Sequence, residues 1–109
     1  MALKPMTPLQ LRLVAERFKA LAEPSRLQIL NALRRGELSV SQILTATGLG
    51  QANVSKHLQI LHAAGYVERR KEGVSIYYRL SDPDVMQLCE LMCGRLERET
   101  VTRRKLLGA

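Results

Sequence analysis

Two short amphipathic segments separated by Gly48-Leu49-Gly50 restrict the fold of this chain more than any other feature. Before the break, Ser39 and Gln42 have the spacing of a capping box, and the apolar residues that follow predict a helix of about two turns. After the break, apolar residues at helical spacing predict a second helix that begins at Gln51 with a polar, uncapped start and ends at Gly65. The pattern therefore predicts two helices joined by a tight glycine turn.

Three further helices are predicted around this pair. The first runs from about Pro8 to Leu21, where apolar residues recur at helical spacing. A short second helix starts at Glu23-Pro24 and closes at Arg34-Arg35-Gly36. The last helix starts at Ser81-Asp82-Pro83 and runs to around Arg104.

A hairpin follows the helix pair. Residues 66–70 and 74–80 are strand-like, and Lys71-Glu72-Gly73 between them predicts a hairpin with a basic tip. The chain is thus predicted to be mainly α with a small β-hairpin, in the order four helices, two strands and a fifth helix. This order is the winged helix-turn-helix arrangement. A length of 109 residues suits one such domain over residues 1–109, and it excludes catalytic barrels and doubly wound sheets.

The charge balance indicates an anionic partner. Lys and Arg number 17 against 10 for Asp and Glu, which gives a formal net charge of +7. The positive excess lies in the first eighty residues, whereas residues 81–109 are neutral. No apolar run approaches the roughly 18 residues of a membrane span, and the start does not resemble a secretory signal. We therefore expect a cytoplasmic protein without a membrane partner.

The helix after the glycine turn carries the residues expected to read double-stranded DNA. A major groove about 12 Å wide admits a helix, and side chains at the N-terminal end of that helix reach base edges. The predicted base-contacting residues are Gln51, Asn53, Ser55, Lys56 and His57. The predicted phosphate-contacting residues are Lys56 and, in the hairpin, Arg69, Arg70 and Lys71. An isolated helix with this pattern would more often be a solvated surface helix, but the adjoining turn and basic hairpin favour DNA binding.

Four stretches resemble the ArsR-type (ArsR/SmtB) bacterial winged-helix repressors, within a similarity that extends over about residues 8–100. They are residues 21–30, 37–43, 54–61 and 64–67. The resemblance implies a homodimer whose first and last helices form the subunit interface. It also implies an inverted-repeat operator and release of DNA when an effector alters the dimer.

The apolar residues of the terminal helices agree with that implication. Segments 1–21 and 82–104 carry more apolar surface than a small winged-helix core can cover, which predicts that they act as dimerisation helices. The predicted interface residues are Leu11, Val14, Phe18, Leu88, Met92 and Leu96.

Two sensing sites that the resemblance implies are missing their ligands. The helix-three arsenic site would need a cysteine pair where this chain has Ser39 and Ser41, and serine is a poor ligand for a soft ion. The zinc site of the last helix would require imidazoles, yet its ligand positions are Asp84, Met86, Glu97 and Thr100. The only histidines are His57, predicted to face DNA, and His62, predicted to lie on the surface.

Cys89 and Cys93 remain as effector candidates. Residues four apart on a helix face the same side, so both sulfurs could bind one soft metal or metalloid such as As(III) or Cd(II). A redox or sulfane-sulfur thiol switch is a second interpretation, and a disulfide at this spacing would distort the helix. A third is that both cysteines only pack among apolar neighbours.

Other function classes are less well supported. The chain shows no nucleophile with a base and no phosphate-binding loop, so we expect that it is not an enzyme. A winged helix used for protein contacts stays possible on sequence grounds, as does a repressor without a thiol effector.

Overall fold

The structure is a computed structural model that describes residues 4–108. The predicted 1–109 domain and its 1–21 helical segment therefore extend slightly beyond the described residues. Five helices and three strands are present in the part described. They are α1 (Pro8–Leu21), α2 (Pro24–Leu33), β1 (Leu38–Ser39), α3 (Val40–Thr47), α4 (Gln51–Ala63), β2 (Val67–Glu72), β3 (Ser75–Leu80) and α5 (Asp84–Leu106).

The predicted capping box at the start of α3 is confirmed. The Ser39 hydroxyl accepts a hydrogen bond from the Gln42 backbone N–H at 3.2 Å, and the Gln42 side chain accepts one from the Ser39 N–H at 2.8 Å. Thr7 and Gln10 form the same reciprocal pair at the start of α1. These bonds satisfy backbone donors that have no partner within a helix, so local sequence determines where both helices begin.

The sheet is larger than the predicted hairpin. Its order is β1-β3-β2, and the short strand β1 pairs Leu38 with Tyr78 of β3. This strand was missed because two residues are too short to show an alternating pattern.

The hairpin turn also differs from the prediction. Glu72 pairs with Ser75, so the turn is Gly73-Val74, with Gly73 at φ +60° as a two-residue hairpin loop requires. Lys71 is therefore a strand residue opposite Ile76 rather than part of the turn, and the prediction of a basic tip at Lys71-Glu72-Gly73 was wrong.

The core lies between α2, α3, α4 and the inner face of the sheet. Its fully buried side chains are nearly all aliphatic. They include Ile29, Leu30, Leu33, Ile43, Val54, Leu58, Leu61 and Val67. Burial of each such side chain contributes about 1.5–3 kcal/mol, so this cluster holds α4 against the rest of the domain.

The terminal helices extend away from this core. Only Ala20 and Leu21 of α1 and Val85 of α5 are buried. The radius of gyration is 17.1 Å, whereas a compact domain of this length has about 13 Å. Most of α1 and α5 is therefore not covered by this chain. Within residues 4–108, no helix combines the length and the hydropathy needed to cross a membrane.

Candidate nucleic-acid interface

The turn between α3 and α4 is fixed by hydrogen bonds. Gly48 ends α3 in the left-handed conformation at φ +70°, which favours glycine. The buried Thr47 hydroxyl accepts a hydrogen bond from the Leu49 N–H at 3.3 Å, and the Gln28 side chain donates to the Thr47 carbonyl at 2.7 Å. This turn therefore sets the direction in which α4 leaves α3.

The turn and the core place α4 with one covered and one open side. Val54, Leu58 and Leu61 are buried. Four of the predicted base-contacting side chains are exposed, namely Gln51, Asn53, Ser55 and Lys56. Gly50 precedes α4 without a capping side chain, so the first N–H groups of the helix point towards its open end.

His57 occupies a different place from the one predicted. Its side chain is only 13% exposed and lies between two residues of α2. Arg26 Nη1 is 3.3 Å from His57 Nδ1, and His57 Nε2 is 3.6 Å from a carboxylate oxygen of Glu23. Because His57 already contacts these two side chains, the structure does not present it as a free base-contacting residue.

Arg26 is a structural residue that sequence reasoning missed. Its Nε donates to the Ala20 carbonyl at 2.6 Å, and its backbone N–H is capped by the Glu23 carboxylate at 3.1 Å. The spacing of Glu23 and Arg26 is a recognisable N-terminal capping signal. The contact with His57, 31 residues away, leaves no local signal.

The predicted cations of the hairpin lie on two faces of β2. Arg69 and Lys71 alternate with Arg70, pair with Tyr78 and Ile76 of β3, and are exposed. Neither has a carboxylate within 4.0 Å among residues 4–108. Their charges are therefore available to an anionic partner.

Arg70 is held by carboxylates instead. Its Nε and Nη2 donate to the two oxygens of Glu37 at 3.2 and 2.7 Å, and Nη1 donates to Glu72 at 2.6 Å. The guanidinium also lies 4.6 Å from the ring centre of Tyr77. Since two carboxylates balance its charge, Arg70 fixes the hairpin against the segment before β1 and is not a free phosphate-contacting residue. Its partner Glu37 lies 33 residues away, so the sequence gave no sign of the pair.

Cys89 and Cys93 line one groove of about 480 Å³ beside α2, together with Arg34, Arg35 and Met86. Cys89 is partly buried and Cys93 is exposed. Burial, and to a lesser extent the neighbouring Cys93, raises the pKa of the Cys89 thiol above its ordinary value. The described residues contain no group of three or more His, Cys, Asp or Glu side chains placed to hold a metal.

The predicted dimerisation residues form exposed apolar faces. Their exposure ranges from 39% for Val14 to 58% for Met92. The others in this range are Leu11, Phe18, Leu88 and Leu96.

Comparison with known proteins identifies the family. Residues 23–69, which contain the helix-turn-helix and the start of the hairpin, match the profile described as "Bacterial regulatory protein, arsR family". The chain is also 39% identical to the transcriptional repressor SmtB homolog of Synechocystis over 81% of this chain and 67% of that protein. The chain belongs to the ArsR family. This agrees with the prediction that it is not an enzyme, because these relatives are named as transcriptional regulators.

Other relatives of this ArsR-family protein are longer. The chain is 47% identical to the HTH-type transcriptional regulator Rv0324 of Mycobacterium tuberculosis, over 72% of this chain but 35% of that protein. It is 39% identical to the probable mercury resistance operon repressor of Streptomyces lividans, over 68% of this chain and 59% of the relative. The chain thus spans between about a third and two thirds of the length of these relatives.

Solved structures confirm the winged helix-turn-helix fold. The crystal structure of M. tuberculosis Rv0081 matches with a TM-score of 0.78 and 35% identity, over 90% of this chain and 98% of that one. The solution structure of a homodimeric winged helix-turn-helix domain, Mb0332 from Mycobacterium bovis, matches with a TM-score of 0.73 and 41% identity. That match covers 89% of this chain and 91% of the other.

The Arg70–Glu37 pair predicts a pH-dependent difference in stability. Hydrogen bonds from Arg70 hold the pKa of Glu37 below its ordinary value of 4.5. Stabilisation by Glu37 is therefore present above pH 4.5 and is lost as the pH falls through the lower folded-state pKa. We expect Glu37→Gln to be less stable than wild type at pH 7 and to approach it below pH 4, measured by urea unfolding at a series of pH values. Glu97→Gln is the control, since Glu97 has no ion-pair partner within residues 4–108. Wild-type and Glu37→Gln curves that stay parallel across this range would contradict the interpretation.

Proposed function

We propose that this chain is a sequence-specific transcriptional repressor that binds an inverted-repeat DNA operator as a homodimer. The observation that carries the proposal is the open side of α4, where exposed polar side chains lie at the end of a fixed turn. Arg69 and Lys71 add uncompensated charge on the adjoining strand. In this arrangement Gln51, Asn53 and Ser55 contact base edges, and Lys56, Arg69 and Lys71 contact phosphates. A repressor of a bacterial chromosome acts in the cytoplasm.

The division of the hairpin cations gives a test of DNA binding. Replacing Arg69 and Lys71 with Ala should weaken binding to all duplexes alike. It should also reduce the slope of log affinity against log salt by about 2, because each phosphate contact contributes about 0.9. The matched control is Arg70→Gln with Glu37→Gln, which removes an ion pair without changing the net charge. Fluorescence anisotropy at several salt concentrations measures both.

An equal loss of slope in the control would show that Arg70 also contacts phosphate. Absence of duplex binding by the reduced, metal-free wild-type protein at low salt would overturn the repressor proposal. A winged helix used for protein contacts would then be the better interpretation.

The exposed faces of α1 and α5 support the homodimer. Side chains such as Phe18 and Met92 are more than half exposed in the single chain, and a second copy is the partner that covers them. The homodimeric state of the M. bovis relative supports the same assembly. In this proposal residues 1–109 form one winged helix-turn-helix domain, and segments 1–21 and 82–104 are its dimerisation helices. Two-fold symmetry then places the two α4 helices in half-sites about one helical turn apart or a multiple of it.

A charge in the proposed interface should break the dimer. Met92→Glu would bury an unpaired carboxylate, which costs several kcal/mol against a total stability of about 5–15 kcal/mol. We expect dissociation or unfolding, measured by sedimentation velocity and circular dichroism. Gln87→Glu adds the same charge at an exposed position on another face of α5 and should leave the dimer intact. A Met92→Glu protein that remains a folded dimer would contradict this interface, as would a folded wild-type monomer.

We further propose that a thiol-directed signal at Cys89 and Cys93 releases the operator. The two side chains share one groove on α5, the helix assigned to the dimer interface, so a ligand there can alter the angle between subunits. The similarity to a probable mercury resistance operon repressor supports a soft metal or metalloid such as As(III) or Cd(II). A reactive-sulfur or oxidant signal at the same thiols is the second candidate.

Parallel titrations of the operator complex test this signal. Arsenite, cadmium, a persulfide donor and peroxide are added to wild type and to the Cys89→Ser/Cys93→Ser variant. One agent should weaken DNA binding by wild type alone, about 5- to 150-fold for a typical coupling. For a metal or metalloid the effect should strengthen as pH rises, since the thiolate binds the ion and burial raises the pKa of Cys89. Equal DNA binding by both proteins with every agent would show that the cysteines only pack.

A further inference from the structure

One side chain connects three helices of this domain. The Arg26 guanidinium, at the start of α2, donates from Nε to the Ala20 carbonyl at 2.6 Å and from Nη2 to the Lys19 carbonyl at 3.5 Å. Both carbonyls lie in the last turn of α1, where a cation complements the helix dipole. The third nitrogen, Nη1, is 3.3 Å from Nδ1 of His57 on α4.

The chemistry of the contact fixes the state of the imidazole. A guanidinium has only hydrogen-bond donors, so Nδ1 of His57 must be the acceptor. In the neutral ring the proton is then on Nε2, which faces the Glu23 carboxylate at 3.6 Å. Glu23 is also the N-cap of α2, where it accepts from the Arg26 backbone N–H. The polar contacts of α4 with α1 and α2 therefore form one connected set, Glu23–Arg26–His57.

The other contacts that hold α4 are not directional. The stripe of Val54, Leu58 and Leu61 keeps α4 on the core, but dispersion and apolar burial tolerate small rotations about the helix axis. Hydrogen bonds have a preferred direction, so the contact at His57 restricts that rotation. Asn53 and Lys56 lie within one turn of His57, and a rotation would move them with it.

We propose that His57 and Arg26 are positioning residues that set the rotation of α4 and couple it to the C-terminal end of α1. A displacement of α1 at the dimer interface is then passed through Arg26 to the base-reading face. This inference rests on the proposed DNA-binding function. His57 acts through Arg26 and does not itself contact a base.

Substitutions at His57 separate positioning from general stability. His57→Leu removes both ring nitrogens, whereas His57→Asn keeps an acceptor on the γ carbon that carries Nδ1. His62→Leu is the matched control, because His62 is exposed on the same helix. Arg26→Gln removes the guanidinium, and Arg26→Gln with His57→Leu completes a double-mutant cycle. Each protein is checked for dimer state and thermal stability before its DNA affinity is measured.

The DNA readout compares a duplex selected by wild type from a random pool with an unrelated duplex of equal length. His57→Leu and Arg26→Gln should each weaken binding to the selected duplex about tenfold, the size of a lost base contact. Binding to the unrelated duplex should change less than about twofold, because the phosphate-contacting side chains remain. His57→Asn should recover most of the specific affinity, and the double variant should bind no more weakly than the weaker single variant.

Three results would overturn the inference. One is specific affinity unchanged in His57→Leu, and another is fully additive losses in the cycle. The third is a His57→Asn variant as weak as His57→Leu while both are folded dimers.

Nitrogen NMR of the imidazole gives a readout that needs no variant to fold. Wild type should show an unprotonated Nδ1 and a protonated Nε2 in neutral His57, and a ring proton on Nδ1 would refute the link. If wild type binds no duplex, the proposed function fails while this measurement still decides whether the Arg26–His57 contact exists. In that case a shift of the α4 amide signals in Arg26→Gln but not in His62→Leu would support positioning, and unchanged signals would refute it.

Discussion

The burial of a single apolar stripe of α4 against α2 and α3 is the interaction on which the rest of the molecule depends. Val54, Leu58 and Leu61 are almost completely inaccessible to solvent. Because only one side of α4 is used for packing, the other side stays open along the whole helix. The same burial that stabilises the domain thus creates the surface that reads DNA in our proposal.

The positive charge of the chain is not distributed as its net value suggests. Arg26 and Arg70 are used inside the fold, the first by backbone carbonyls and His57 and the second by two carboxylates. Arg69 and Lys71 carry charge without such partners in the described part of the chain. A count of basic residues therefore overestimates the cations available to an anionic partner, and the arrangement of acidic residues determines which cations remain.

Local signals predicted most of this architecture. Capping-box spacing located the start of α3, and apolar periodicity gave α4 its buried stripe. The strand β1 could not be predicted in this way, because its two residues are extended by pairing with β3 rather than by their own pattern.

The candidate site was predicted less completely than the fold. The exposed positions of Gln51 and Asn53 follow from helix periodicity alone. The places of His57 and Arg70 depend on partners about thirty residues away in sequence, and such pairs appear only once the chain is folded. Sequence reasoning identified the surface but could not distinguish side chains that point into it from side chains that brace it.

The length of α5 makes the integrity of this protein a matter of mass action. The helix has 23 residues and buries only Val85 within its own chain. A helix of this kind gains little from tertiary packing until a second copy arrives, since isolated helices are only marginally stable in water. With the proposed dimer, the order of α5 depends on protein concentration. A cell that lowers the amount of this protein would then also raise the fraction open to proteolysis, so that its removal accelerates as its level falls.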